Sequence, residues 1–358
     1  MNTALNAASR FKLDGNITCC APYGEGHINR TFLVVCDSGK RYILQGINKN
    51  AFADVAGLME NISSVTAFIA KQCTDPRQCL NLIKTVDGEF YYTDADGESW
   101  RVYDFIEDSL CLQAPESAED FYQSAVAFGT FQKQLADFPA KTLHEIIPNF
   151  HNTPDRYGKF HEAVEKDIAG RAASVQAEIE DYLSYENEAA TLQKQLESGV
   201  LPLRVTHNDT KLNNVMLDAK TRKALCVIDL DTVMPGLAAF DFGDSIRFGA
   251  ATAAEDEKEL SKVSMDLDLY TVFTRGFIRS CSGMTDEEKL SLPWGAKLMT
   301  LECGVRFLTD YLNGDIYFSV HYSEHNLDRC RTQTKMVHDM DAKWDEMYAI
   351  VRREGGIE

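Results

Sequence analysis

The chain has 358 residues, of which 44% are hydrophobic and 25% are charged, and this ordinary globular composition excludes a disordered, collagen-like or coiled-coil protein. Its 55 acidic and 36 basic side chains give a formal net charge of −19 at pH 7. Because a surface this acidic repels phosphate backbones and anionic lipid, we expect neither a nucleic acid nor a membrane as a partner.

Ten cysteines are scattered along the chain without a C-x-x-C pair, and the first thirteen residues contain no long apolar run. The first observation argues against a zinc site, and the second argues against a signal peptide. We therefore expect a cytoplasmic protein with reduced thiols. No pattern in the sequence indicates an oligomeric state.

The first hundred residues predict mainly β-structure. Two apolar runs, 32–36 and 41–44, flank a short turn and predict a hairpin. A helix is predicted over about 54–72, because apolar residues recur there at every third or fourth position. A second hairpin is predicted from the runs 89–92 and 100–106.

Beyond Glu107 the pattern becomes mainly helical. A row of aromatic residues predicts a helix that ends at Pro139, and a long helix is predicted over about 168–197, with Gly199 as its end. Short strands are predicted within 201–230, and helices predominate from Ala253 onward.

These elements predict an α+β protein with two lobes. The N-terminal lobe, 1–106, is β-rich, and the C-terminal lobe, 107–358, is larger and mainly helical. The length suits two domains or one two-lobed unit.

The segment 204–231 places acidic and amide side chains beside short strands. Asp209 and Asn214 precede a predicted hairpin, and Asp229 stands at its end, so we expect these three side chains to lie close together. Mg²⁺ prefers carboxylate and amide oxygens, and a carboxylate that binds no metal can orient and deprotonate an attacking hydroxyl. The pattern H-x-D-x-x-x-x-N followed by I-D matches the catalytic and metal-binding set of kinases. The alternative is a buried turn with structural hydrogen bonds only.

Two further acidic residues need an interpretation. Asp241 begins a D-F-G triplet, but it lies on a segment that follows Pro235 and Gly236, so we interpret it as a structural carboxylate that supports the loop through Arg247. Asp231 points to the same side of an extended chain as Asp229. It could bind a second Mg²⁺ or contact the substrate.

The N-terminal lobe contains a loop suited to phosphate. Gly24 and Gly26 stand directly before a predicted strand, and backbone N–H groups in such a turn can face phosphate oxygens, although a tight turn would look the same. One hairpin further on, Gln45 occupies the position where kinases usually carry a phosphate-binding lysine. An amide can donate a hydrogen bond there but supplies no charge.

Taken together, these residues resemble the aminoglycoside phosphotransferase and choline kinase family, whose members have the bilobal protein-kinase-like fold. The wider family shares the H-x-D-x-x-x-x-N and I-D elements. Longer stretches extend the resemblance to the N-acetylhexosamine kinases of that family: YGEGHINRTF, RYILQGIN, WRVYDFIE, LRVTHNDTKLNN and IDLDTVMPG.

The resemblance implies an ATP-dependent transfer of phosphate to the anomeric hydroxyl of N-acetylglucosamine or N-acetylgalactosamine. It implies that Asp209 is the catalytic base and that Asn214 and Asp229 hold Mg²⁺. The backbone of Phe105, Ile106 and Glu107 would receive adenine. The residues implied at the sugar are Arg306 and Tyr317, with His27 nearby.

The residue chemistry agrees with a sugar site without requiring one. The guanidinium of Arg306 can donate several hydrogen bonds to sugar hydroxyls or to an acetamido carbonyl, and Tyr317 can stack or hydrogen-bond on a sugar ring. An arginine on a helix face also often pairs only with an acid such as Asp310.

Two alternatives stay open. The acceptor of the kinase could be a small amino alcohol of the choline or homoserine type, although no aromatic cluster suited to a quaternary ammonium stands out. The protein could also be a pseudokinase that binds nucleotide without catalysis, because Gln45 replaces the usual lysine.

Overall fold

The fold is that of a computed structural model of the protein, which describes residues 2–24 and 28–358. The strands of the described residues are, in chain order, β1 (Ile17–Pro22), β2 (Arg30–Cys36), β3 (Arg41–Ile47), β4 (Leu82–Ile83), β5 (Tyr92–Thr93), β6 (Ser99–Asp104), β7 (Ser109–Cys111), β8 (Arg204–Thr206), β9 (Val215–Asp218), β10 (Ala224–Val227) and β11 (Met234–Gly236). The helices are α1 (Asn2–Ala8), α2 (Val55–Ala70), α3 (Ala118–Gln134), α4 (Thr153–Lys166), α5 (Gln176–Ser184), α6 (Glu186–Ala189), α7 (Thr191–Glu197), α8 (Ala238–Gly249), α9 (Leu267–Ser280), α10 (Asp286–Leu312), α11 (His325–Ala342) and α12 (Trp344–Gly355).

The chain divides into two compact units, each discontinuous in sequence. The first unit comprises Met1–Leu110, Asp137–Pro148 and Met216–Met234, and the second comprises Cys111–Ala136, Asn149–Val215 and Pro235–Glu358. The predicted α+β class is confirmed, because the large sheet lies in the first unit and the long helices lie in the second. The lobe boundary at residue 106 stays a prediction.

An antiparallel sheet organises the first unit, with the strand order β1-β2-β3-β6-β4 and with β5 paired to β6. Both predicted hairpins are confirmed: β2 pairs with β3, and β5 pairs with β6. The register places Gln45 opposite Arg101 and Leu44 opposite Val102. Leu44 and Val102 are fully buried, so one face of these strands forms part of the core.

Helix α2 begins and ends close to the predicted limits. Asp54 is its N-cap and accepts a hydrogen bond from the Gly57 N–H at 2.9 Å, which satisfies one of the free amides of the first turn. The apolar positions that predicted the helix are buried along one face. Asn61, also buried on α2, donates from Nδ2 to the carbonyls of His144 at 2.9 Å and Val233 at 3.1 Å.

The second unit is built from packed helices. Helix α10 packs against α4, α8, α11 and α12, and α3 packs against α9. The aromatic row before Pro139 does form a helix, but α3 already ends at Gln134. Among the helices of the described residues, none combines the length and the apolar character that crossing a membrane requires.

The long helix predicted over 168–197 is wrong before Gln176, and the remainder is helical but broken at residues 185 and 190. Helix α4, which the sequence reasoning missed, ends at Asp167, whose backbone is left-handed with φ 35°. The Asp167 carboxylate then accepts hydrogen bonds from the N–H groups of Arg171 at 2.7 Å and Ala172 at 3.0 Å. These bonds hold the chain in a loop, because a short acidic side chain competes with helical hydrogen bonding. Three short helices, α5 to α7, follow.

Helices α8 and α10 approach each other through glycines. A Cβ atom on Gly243 would lie 2.1 Å from the Gly295 carbonyl oxygen, and a Cβ on Gly295 would lie 2.1 Å from the Ala239 carbonyl oxygen. Both clashes are with backbone, which cannot move aside as a flexible side chain would. The close crossing therefore depends on the absence of side chains at these two positions.

We expect Gly295→Ala to lower the free energy of unfolding by about 1–3 kcal/mol, the usual cost of overpacking a core. Gly158→Ala is the matched control, since this exposed helical glycine has nothing within 4 Å of an added Cβ and should gain roughly 0.5–1 kcal/mol. Urea denaturation would measure both changes. A Gly295→Ala protein as stable as the Gly158→Ala protein would contradict the close crossing.

Candidate active site

The loop after β8 carries the first part of the predicted motif. Asn208 adopts a left-handed backbone with φ 67°, a conformation that is uncommon outside glycine. The buried Asp241 carboxylate accepts hydrogen bonds from the N–H groups of His207 at 3.0 Å and Asn208 at 2.8 Å, and from Gln132 Nε2 at 2.6 Å. Burial raises the pKa of the Asp241 carboxyl, although these donors lower it in part.

Asp241 is therefore a structural carboxylate, as its place in the sequence indicated, but it does not act through Arg247. The Arg247 guanidinium instead contacts Asp244 at 3.1 Å and Glu255 at 2.8 Å. Asp244 in turn accepts the Thr210 N–H at 2.9 Å. Burial alone would raise the pKa of Asp244, but the charges of Arg247, Lys211 and His151 and the hydrogen bond from Arg247 together lower it.

Asp209, Lys211 and Asn214 form a bonded group in this loop. Lys211 Nζ lies 2.8 Å from Asp209 Oδ1, and Asn214 Nδ2 donates to Asp209 Oδ2 at 3.2 Å and to the Asp209 carbonyl at 2.9 Å. Burial would lower the pKa of Lys211, but the Asp209 charge raises it. The Asp209 side chain keeps 28% of its surface exposed, so it is oriented and still accessible.

A buried ion pair supports the same loop from the other side. His151 Nδ1 lies 3.1 Å from Glu302 Oε1, and His151 Nε2 lies 3.2 Å from the Asn208 carbonyl oxygen. Thr153 donates its hydroxyl to Glu302 Oε2 at 3.0 Å. These contacts connect helix α10, which carries Glu302, to the residue that precedes Asp209.

Each member of this pair shifts the other's pKa. Burial lowers the pKa of the His151 imidazole, but the charge and hydrogen bond of Glu302, together with the charge of Asp244 and the Asn208 carbonyl, raise it overall. Burial raises the pKa of the Glu302 carboxyl, but the charge and hydrogen bond of His151, together with the charges of Arg156 and Arg306, lower it overall.

Arg306 and Tyr317 are brought together in the second unit. Arg306 Nη2 lies 3.4 Å from the Tyr317 hydroxyl, and its guanidinium carbon lies 5.6 Å from the centre of the Tyr317 ring. Tyr317 is 69% exposed. Its position is set by Asp310, whose carboxylate accepts the N–H groups of Ile316 at 3.0 Å, Tyr317 at 2.8 Å and Phe318 at 3.0 Å.

In the first unit, the position of the usual kinase lysine belongs to a different network. Gln45 Oε1 accepts hydrogen bonds from Arg101 Nε at 3.0 Å and Nη2 at 2.8 Å. Arg101 Nη1 lies 2.5 Å from Asp231 Oδ1, and Asn29 Nδ2 donates to Asp231 Oδ2 at 2.5 Å. The Asp231 carboxylate is thus ion-paired through Oδ1 and accepts a hydrogen bond at Oδ2.

Asp229, the predicted metal ligand, belongs to the same unit and follows β10. Its backbone is left-handed, with φ 59°, and a short 3₁₀ turn over Leu230–Thr232 follows it. Because a left-handed aspartate is held only where its surroundings impose the conformation, the turn has a defined shape.

The residues predicted for adenine lie just after β6. Phe105 donates its N–H to the Arg41 carbonyl at 3.2 Å, and the Ile106 carbonyl accepts the Ser109 hydroxyl at 2.6 Å. The Arg41 guanidinium stacks on the Phe105 ring at 4.1 Å and pairs with Glu107. These contacts fix the backbone position of residues 105–107.

The predicted phosphate loop is described only in part. Gly24 has a positive φ of 78°, which agrees with a turn that favours glycine. Gly26 and His27 lie outside the described residues.

The donor set has the chemistry that a magnesium nucleotide needs. Asn214 uses its amide nitrogen toward Asp209, which leaves the carbonyl oxygen, the atom that Mg²⁺ binds, for another ligand. Asp229 offers a carboxylate in the motif position. Mg²⁺ usually takes one or two carboxylates and keeps its other sites for water and phosphate, so these residue types fit the ion.

Comparison with known families agrees with this geometry. The model of the phosphotransferase enzyme family matches residues 20–261, which is more than half of the chain. The chain belongs to the phosphotransferase enzyme family. The matched range includes Asp209, Asn214 and Asp229, whereas Arg306 and Tyr317 lie beyond it.

Solved structures of this phosphotransferase's fold include three kinases of small molecules. The microcompartment-associated aminopropanol kinase is 17% identical with a TM-score of 0.66, covering 97% of this chain and 98% of its own. An amicoumacin kinase in complex with AMP-PNP, Ca²⁺ and Ami is 10% identical with a TM-score of 0.62, covering 93% and 92%. An ethanolamine kinase of Plasmodium vivax is 14% identical with a TM-score of 0.54, covering 89% and 81%. The kinase-like fold is thus confirmed, and identities this low show the fold alone.

Several site residues escaped the sequence reasoning. Glu302 lies four residues before the predicted Arg306 on α10, so the two share one helix face, and this spacing of polar residues was a usable signal. Arg101 carries a weaker signal, a charged residue inside an apolar strand. Nothing local in the sequence marks His151 as a support of the loop.

The opposite pKa shifts of His151 and Glu302 predict a pH dependence. The raised pKa of His151 means that its contribution to stability is complete below the ordinary histidine value of about 6.5 and is lost as pH rises through the folded value. The lowered pKa of Glu302 means that its contribution is complete above about 4.3 and is lost only at lower pH.

We therefore expect His151→Gln to lower the free energy of unfolding by roughly 1.5–3 kcal/mol near pH 5.5, because a charged hydrogen bond is lost, and by less as pH rises through the raised pKa of His151. Urea denaturation across this pH range would measure the difference. His161→Gln is the control, since His161 is 50% exposed beside Glu186 and should cost little at any pH. A His151→Gln penalty that grows toward alkaline pH would contradict the charged pair.

Proposed function

We propose that this phosphotransferase moves the γ-phosphoryl group of ATP to the anomeric hydroxyl of an N-acetylhexosamine, giving N-acetylhexosamine 1-phosphate and ADP. The observation that carries the sugar acceptor is the Arg306–Tyr317 pair, which joins a guanidinium and an exposed aromatic ring in the unit that also holds Asp209. A guanidinium can bond several hydroxyl or acetamido oxygens, and a tyrosine ring can pack on a sugar face. The resemblance to the N-acetylhexosamine kinases supports the same acceptor.

In this proposal, Asp209 orients the attacking hydroxyl and accepts its proton. The bonds from Lys211 and Asn214 hold the carboxylate in one orientation, so little reorganisation is needed when the acceptor arrives. The transition state of phosphoryl transfer is largely dissociative in most analyses, so positioning and charge stabilisation contribute more than proton removal.

The remaining predicted residues have proposed binding roles. Asn214 and Asp229 would hold Mg²⁺, which when bound neutralises the phosphate charge. Gly24, Gly26, Gln45 and the backbone of 105–107 would bind ATP, and His27 would lie near the sugar. The solved complex of the amicoumacin kinase with AMP-PNP and Ca²⁺ supports a nucleotide with a divalent ion. The free thiols of all ten cysteines fit a reducing, cytoplasmic location.

A second acceptor class, a small amino alcohol, has one observation in its favour. Two solved structures of the same fold are named as an aminopropanol kinase and an ethanolamine kinase. Against it, an ammonium group favours carboxylate or aromatic partners, whereas Arg306 beside Tyr317 presents a positive charge.

The pseudokinase alternative rests on Gln45 alone. Arg101 places a buried positive charge against Gln45, so the missing lysine does not leave this part of the sheet without a cation. A module that only binds nucleotide would also have no need of an oriented carboxylate such as Asp209.

The proposal predicts that Asp209→Asn lowers kcat by roughly 10²–10⁴-fold, the usual contribution of a general base, and leaves Mg·ADP binding largely intact. Steady-state kinetics and calorimetry would measure the two quantities. Asp266→Asn is a matched control in the same unit, because Asp266 caps α9 and asparagine is an equally good cap. Full activity of the Asp209→Asn protein would contradict the mechanism.

The acceptor is tested by ADP release from Mg·ATP with N-acetylglucosamine, N-acetylgalactosamine, glucose, galactose, choline, ethanolamine and homoserine. We expect turnover with the N-acetyl sugars, and the phosphate in the product should be acid-labile and alkali-stable. In the Arg306→Met protein, KM for the sugar should rise while Mg·ADP binding stays unchanged. Turnover confined to the amino alcohols would replace the sugar with the second acceptor class. Nucleotide binding without turnover would favour a pseudokinase.

A further inference from the structure

We infer that Arg101 is a positioning residue of the metal and nucleotide site, which holds the Asp229 turn in place through its buried ion pair with Asp231. The inference rests on the proposed function, since it takes Asp229 as a ligand of the Mg·nucleotide. It assigns Asp231 to the support of that turn instead of to metal or substrate, and it explains why Gln45 stands at the position of the usual lysine.

The Arg101–Asp231 pair is almost completely shielded from solvent. The two side chains are 1% and 4% exposed, and Arg101 Nη1 lies 2.5 Å from Asp231 Oδ1. Asn29 Nδ2 bonds the second oxygen of Asp231 at 2.5 Å. Burial alone would lower the pKa of Arg101, but the charge of Asp231 raises it, so the arginine stays charged.

A buried ion pair of this kind costs desolvation free energy that its attraction often only balances. Replacing such a pair by apolar residues is frequently neutral or stabilising. The pair is therefore expected to add little net stability. Its direct effect is to fix the position of the Asp231 carboxylate.

Fixing the Asp231 carboxylate also fixes the turn that begins at Asp229. Asp231 lies in the middle of the 3₁₀ turn Leu230–Thr232 that begins at the left-handed Asp229. Asn61 holds the end of the same turn by donating to the Val233 carbonyl at 3.1 Å. The turn is thus bound to strand β6 through Arg101 and to helix α2 through Asn61.

Gln45 completes the arrangement from the neighbouring strand. It lies opposite Arg101 in the β3–β6 register, and its Oε1 accepts two guanidinium hydrogen bonds. Its Nε2 donates to the Thr31 hydroxyl at 3.2 Å, which fixes the amide with its oxygen toward Arg101. A lysine at this position would place an ammonium against the guanidinium, so the exchange of lysine for glutamine follows from the presence of Arg101.

The test compares Arg101→Met, Arg101→Lys and Asp231→Asn with the wild type, using the full-length protein. Lys297→Met is the matched control, because Lys297 is also a buried cation, 2.5 Å from Glu188 and 2.6 Å from Asp341, and it belongs to the other compact unit. The readouts are Mn·ADP binding by calorimetry, amide hydrogen exchange of 229–233, and the melting temperature.

We expect Arg101→Met and Asp231→Asn to weaken Mn·ADP binding by roughly 10–100-fold, the usual effect of losing a group that orients a metal ligand, and to speed amide exchange of 229–233. Arg101→Lys keeps the charge but loses the fork geometry, so it should recover part of the affinity. Lys297→Met should lower the melting temperature without changing either of the other readouts.

Two outcomes would overturn the inference. One is wild-type Mn·ADP binding and exchange in a folded Arg101→Met or Arg101→Lys protein. The other is a loss in Lys297→Met as large as that in Arg101→Met, which would show a general effect of destabilisation. If the wild type itself bound no Mn·ADP, the proposed function would fail, and faster exchange of 229–233 in the Arg101 variants would still support the role of Arg101 in holding the turn.

Discussion

The loop that carries Asp209 depends on one buried carboxylate. Asp241 accepts the N–H groups of His207 and Asn208, and these are backbone donors that neither helix nor sheet satisfies. A buried donor without a partner costs about 1–3 kcal/mol, and Asn208 adds the cost of a left-handed backbone. The carboxylate offsets both costs at once, and the loop can then present the next residue, Asp209, toward solvent.

Three sets of buried charged side chains hold short backbone segments in this way. Asp241 supports the motif loop from one side, the His151–Glu302 pair supports it from another, and the Arg101–Asp231 pair holds the turn after Asp229. Because buried charges contribute little net stability, their value lies in fixed orientation. A phosphotransferase needs that orientation, since its rate depends mainly on positioning and on charge stabilisation.

Local elements could be predicted where one short-range pattern decides them. The β2–β3 hairpin follows from two apolar runs around a turn, and α2 follows from an apolar face. The first part of the helix predicted over 168–197 failed because Asp167 bonds its own following backbone. That competition between an acidic side chain and helical hydrogen bonding leaves no mark in hydrophobic periodicity.

The sequence by itself determined the family and the α+β class, and it marked Asp209, Asn214 and Asp229 as a motif, because their spacing around one short hairpin is a short-range property. Only the tertiary structure decided which partners hold those residues. Gln132 reaches Asp241 across 109 positions, and Asn29 reaches Asp231 across 202. A periodic pattern tells which side of an element is buried. The identity of a buried partner depends instead on how distant segments pack, and this packing is settled only when the chain folds.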